Sequence, residues 1–241
     1  MSALRIAPTS YSGLRDTELT VVGDVKFVEI TDCPNLRRVV LPESVIGFTA
    51  IACPQLVAVE LPDRLSHLTL KQCPELPAVA LPAGLAELCL IGCAALRLQT
   101  LPVSIEELTV GACPNVSLSG LPLLRNLYKL DLSGCAEAPQ LPLAVREVRL
   151  RECTNVASLQ LGDRLRELTL EECPDIPQLN VPPQVTEFRL FKCRALALVT
   201  INIDSQFGGS PRYYIGDCPA LAEIRLPLGL GLNFEMEGKP R

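Results

Sequence analysis

Apolar residues in this chain repeat on two nested intervals. In stretches such as "SHLTLKQC", which ends at Cys73, leucine alternates with polar residues, and the stretch returns about every twenty residues. Counted around Cys73, the apolar positions are Leu65, Leu68 and Leu70 before it and Leu76, Val79 and Leu81 after it. The period of two predicts a strand with Leu68 and Leu70 on one face and Thr69 and Lys71 on the other. The seven residues that follow Cys73, "PELPAVA", are too few and too proline-marked for a stable helix. They predict an extended return path, either a short strand or a polyproline-like segment.

The larger interval is carried by cysteine. Cys33, Cys53, Cys73, Cys93, Cys113, Cys135, Cys153, Cys173, Cys193 and Cys218 mark it, with steps of 18, 22 and 25 as exceptions, and Cys89 stands outside it. Self-similarity at this length predicts a solenoid, because one turn cannot bury its apolar stripe alone and stacked turns share one core. The small, weakly polar cysteine suits the corner where the chain leaves each strand. Pro34, Pro54, Pro74, Pro114, Pro174 and Pro219 follow it and stop the strand continuing, and a second proline, as in Leu61-Pro62, marks the opposite corner.

The pattern "LxxLxLxxCxxL" is also the consensus of leucine-rich repeats, and the resemblance covers about residues 19 to 236, with ten successive turns matching. The "LP" return and the 20-residue length look like the repeats of bacterial type III effector proteins. The corners "CPQL", "CPEL" and "CPAL" are similar to repeats of plant intracellular immune receptors. Effectors of this type usually carry asparagine where this chain has cysteine. Their ubiquitin-ligase members add a catalytic domain after the repeats, for which there is no room here. The resemblance implies a leucine-rich-repeat solenoid: a right-handed superhelix with a parallel sheet on its concave side, extended or short-strand segments on its convex side, and little helix. It also implies protein binding on the concave face. The expected organisation is one domain over 1–241: an N-terminal cap at 1–18, about ten repeats over 19–218, and a last partial repeat with a C-terminal cap at 219–241.

Composition narrows the function. Aromatic residues make up 4% and Trp is absent, so the core is aliphatic. A net charge of −5 argues against a general nucleic-acid binder, and no apolar run reaches the roughly 18 residues of a membrane-spanning helix. The start lacks a hydrophobic signal region, which predicts a cytoplasmic protein, or one in the host cytosol if it is a secreted effector. Isospaced cysteines without a CxxC pair read as reduced, buried thiols, so no disulfide framework, metal or cofactor is expected.

The residues six, four and two positions before each cysteine should point outward in three columns. From Glu147 onward they carry Glu147, Arg149, Glu167, Glu187, Arg189, Phe191, Arg212 and Tyr214, the candidate binding residues. Tyr213 falls on an inward position. Glycines 208 and 209 in "IDSQFGGSPRYY" predict a projecting turn beside this cluster. The strip reads either as a solvated face of compensating charges or as a mixed-charge docking surface for a protein or peptide. The leading function is therefore a non-enzymatic recognition scaffold, as a bacterial effector or a substrate-recruiting module. The alternative is a cysteine-dependent enzyme using Cys89 and His67, with Glu87 beside the histidine.

Overall fold

Alternating side chains can be buried on one face of a strand and solvated on the other, and each "xLxLx" stretch forms a five-residue strand of this kind. The computed structural model describes residues 9–135, 140–142, 144–154, 156, 159–202 and 212–226, and the backbone of 234–237. They fall into two units, Met1–Gly120 and Leu121–Arg241.

The first unit contains, in chain order, β1 (Thr9–Ser12), β2 (Glu18–Thr20), β3 (Phe27–Thr31), β4 (Arg38–Val40), β5 (Gly47–Ile51), β6 (Ala58–Glu60), β7 (His67–Lys71), β8 (Glu87–Ile91) and β9 (Glu107–Gly111). Strands β1, β3, β5, β7, β8 and β9 form a long parallel sheet, and β2, β4 and β6 a short one on the return side. The second unit opens with a single 3-10 turn at Leu121–Leu123, where the 22-residue step places its extra residues. It continues with β10 (Lys129–Ser133), β11 (Glu147–Arg151), β12 (Glu167–Glu171), β13 (Gln178–Val181), β14 (Glu187–Phe191), β15 (Leu198–Ile201), β16 (Arg212–Gly216), β17 (Glu223–Arg225) and β18 (Phe234–Glu237). Here β10, β11, β12, β14, β16 and β18 form the long parallel sheet, and β13, β15 and β17 the short one.

This is the solenoid architecture expected from the repeat. Return paths are short strands in some turns and extended without pairing in others, as in "PELPAVA", where Leu76 and Val79 are still buried. Within the segments expected as caps, β1 pairs in parallel with β3, and β18 with β16. The core is aliphatic as composition required, and among the described residues no polar or charged side chain is buried.

The corner has a feature that the repeat pattern did not disclose. The residue before every period-marking cysteine has a left-handed backbone: Asp32, Ala52, Gln72, Ala112, Glu152, Glu172, Lys192 and Asp217 with φ of 49–55°, and Gly92 and Gly134 at 67° and 70°. Only glycine takes this conformation freely; for the others it costs about 1–2 kcal/mol. Something must hold it. The N–H of this residue continues the strand ladder, as in Ala52 N to Lys71 O at 2.9 Å and Glu172 N to Phe191 O at 2.9 Å. The cysteine then starts a β-turn, with Leu56 N donating to Cys53 O at 3.1 Å and Leu76 N to Cys73 O at 3.4 Å. The proline after the cysteine therefore sits at the second position of a turn, where its fixed φ is favourable. The other proline opens a second turn, with Leu65 N donating to Pro62 O at 3.1 Å.

Cysteine fits the corner because its thiol bonds backbone on two turns. Cys173 Sγ reaches Glu171 O at 3.5 Å and, one turn back, Leu150 O at 3.5 Å; Cys193 Sγ does the same to Phe191 O and Leu170 O at 3.5 and 3.8 Å. All eleven cysteines are free thiols; Cys89, Cys135 and Cys218 are partly exposed and the other eight are buried.

Candidate functional site

The strand register sets the outward columns. On the second unit Lys129, Glu147, Glu167, Glu187 and Arg212 are successive register partners, as are Asp131, Arg149, Thr169, Arg189 and Tyr214, and Ser133, Arg151, Glu171, Phe191 and Gly216. All eight candidate residues therefore lie on one face of the long sheet. Arg149, Glu167, Glu187 and Arg189 come together around a depression of about 270 Å³, together with Arg151 and Glu171. Sequence reasoning placed Arg151 and Glu171 on this face but did not select them as binding residues. Only side-chain packing reveals that they complete the rim.

Charge on this face is partly matched. Arg151 makes two hydrogen bonds to Asp131, at 2.8 and 3.0 Å, and Asp131 is 14% exposed, so this pair is the least screened. The carboxylate holds the Arg151 guanidinium further above its ordinary range through that hydrogen bond and its charge. Arg189 pairs with Glu187 at 2.7 Å while its guanidinium carbon lies 5.2 Å from the Tyr214 ring centre. That cation–π contact fixes the arginine over an outward aromatic face. Glu147, Glu167, Glu171 and Arg149 have no ion-pair partner among the described residues.

The aromatic residues sort as the alternation requires. Tyr213 is buried and stacks on Phe188, with ring centres 4.4 Å apart, whereas Tyr214 and Phe191 face outward and are half-buried. Arg212 is exposed at the column's far strand. The turn expected in "IDSQFGGSPRYY" lies largely outside the described residues, at 203–211.

On the first unit His67 and Glu87 are register partners, and Thr69 pairs with Cys89. Both histidine nitrogens are engaged. Ser66 Oγ donates to Ile46 O at 3.1 Å and stands 2.7 Å from His67 Nδ1. Nε2 faces Glu87 Oε1 at 3.3 Å, and the ring tilts against Phe27 at 6.5 Å. That ring lies over Gly47, where an added Cβ would come within 2.5 Å of it. Among the described residues no group of three or more His, Cys, Asp or Glu side chains is placed to hold a metal ion.

A second depression, of about 560 Å³, runs along the corners of the first unit, lined by Pro34, Pro54, Pro74 and the left-handed residues beside them. Its counterpart on the second unit is charged, with Glu172, Lys192 and Arg194 around it.

No protein-family model matches the chain, and no curated protein does. Among solved structures it is similar to a leucine-rich repeat protein from Bacteroides ovatus, at 13% identity and a TM-score of 0.40, over 91% of this chain and 70% of that one.

Proposed function

We propose that the protein is a non-enzymatic recognition scaffold that docks a protein or peptide on the outward face of the second unit's long sheet. The observation that carries this reading is the unfinished charge on that face. Glu147 and Glu167 are like-charged register partners, and neither they nor Arg149 beside them makes an ion pair among the described residues. Adjacent like charges on neighbouring strands repel, so a complementary partner relieves an unfavourable arrangement instead of replacing a favourable one. Tyr214 and the arginine stacked on it supply side-chain types that concentrate binding energy. A role as an effector or a substrate-recruiting module fits the same surface. A cytoplasmic setting suits eleven free thiols. The cysteine-enzyme reading is disfavoured by the register, which sets Glu87 opposite His67 and Thr69 opposite Cys89.

The test is selection of displayed random peptides on the immobilised chain, followed by affinity measurements on variants. Tyr214→Ala and Arg189→Glu should each weaken the selected peptides about ten-fold or more. Glu60→Ala and Arg225→Ala, on the two short sheets, should leave them unchanged. The reverse pattern places the docking surface on the return side and ends this proposal.

A further inference from the structure

We infer that the segment docked on this face is an α-helix of another protein, laid across the strands, with Lys or Arg at positions i, i+3 and i+7 and a neighbouring stripe of Asp or Glu. This rests on the docking reading above and adds the shape and charge order of the partner.

Glu147, Glu167 and Glu187 hold the same register position on β11, β12 and β14. Paired strands lie roughly 4.8 Å apart, so the three carboxylates repeat at that pitch and span roughly 9.6 Å. A helix rises about 1.5 Å per residue, which puts i, i+3 and i+7 at about 0, 4.5 and 10.5 Å along its axis. Each basic side chain then stands within about 1 Å of a carboxylate, a misfit that a flexible lysine or arginine stem absorbs. An extended segment presents same-side residues about 6.6 Å apart and is out of step by about 3.6 Å at the third carboxylate. The pitch of the acidic column selects a helix.

The second column sets the other stripe. Arg149 and Arg189 lie two residues further along β11 and β14 than Glu147 and Glu187, roughly 6.6 Å away on the same face. A helix basic all round would meet these guanidiniums with like charge. One that carries carboxylates on the adjoining stripe meets Arg149, which has no partner of its own among the described residues. The Tyr214 ring ends that column with Arg189 held over it, one strand beyond the last carboxylate.

Three synthetic peptides of identical composition and net charge test this by fluorescence anisotropy against the full chain at low salt. The first is helix-stabilised with the stated stripes, the second is helix-stabilised with its charges scrambled, and the third alternates Lys and Glu and carries no helix-stabilising cross-link. The striped helix should bind about ten-fold tighter than either of the others. Glu147→Gln with Glu167→Gln should erase that preference without lowering the thermal unfolding midpoint. Equal binding of all three, or tightest binding of the alternating peptide, overturns the helix while peptides selected by display still depend on Tyr214. Absence of binding by all three overturns it too. If the displayed peptides are then also indifferent to this face, the docking reading falls with it.

Discussion

At the scale of single residues, the corner thiols determine how the protein responds to alkali. Burial pushes the Cys33 thiol above its ordinary range. Cys73, Cys93, Cys173 and Cys193 are raised further, first by hydrogen bonding to the sulfur of a neighbouring turn and then by burial, while the same bond lowers their partners Cys53, Cys113, Cys153 and Cys218. A thiol whose folded pKa exceeds its unfolded value of about 8.5 keeps its proton in the folded state, so its contribution to stability is complete below that pH. As pH rises above it, the unfolded chain ionises first and stability falls. The buried Tyr213 phenol is raised in the same direction by burial. The urea midpoint should therefore drop from about pH 8.5 to about pH 10, with Cys33, Cys73, Cys93, Cys173 and Cys193 giving thiolate absorbance only on unfolding. Thiolate absorbance from most cysteines in the folded protein would contradict their burial.

At the scale of one strand, β14 tests the alternation directly. Phe188 is fully buried against Tyr213, while Phe191 points to the other side and is half-buried. Phe188→Ala should cost about 3–5 kcal/mol by removing a core ring, and Phe191→Ala about 0.5 kcal/mol, measured by urea denaturation. Equal costs would mean a register shifted by one residue, which turns every side chain to the opposite face. This face assignment was legible in the sequence because leucine and cysteine keep a fixed phase over many turns. All three outward columns followed from counting back from each cysteine, and the register agrees with them. The left-handed corner was not legible, since eight of its ten residues are not glycine and share no chemistry. The conformation is imposed by the ladder bond and the β-turn on either side of it, not by the residue's own propensity. The pairing on this outward face was hidden for a related reason. Column positions show that Arg151 and Glu171 are outward, but not that Arg151 hydrogen-bonds Asp131 and not Glu171.

At the scale of the molecule, each unit is quasi-one-dimensional, with each inner long strand packed on the turn before and the turn after. Damage should therefore spread along the stack and fade with distance. Leu170→Ala, a fully buried site on β12, should cost about 2–5 kcal/mol. Its hydrogen-exchange protection should fall most in β11, β12 and β14 and least in β16. Uniform loss across the second unit would indicate a single cooperative block. The corner thiol also bears on how such a chain diversifies. One long-range bond ends on a backbone carbonyl, that of Ala50 for Cys73 and of Leu150 for Cys173, and the other meets the cysteine that every turn repeats, so the thiol makes no demand on the neighbouring turn's remaining side chains. Turns are thus mechanically interchangeable parts. A genetic exchange that transposes one twenty-residue segment carries three outward side chains to a new row and leaves every fastening intact. New specificities can arise by shuffling rows, without redesign of the frame that displays them.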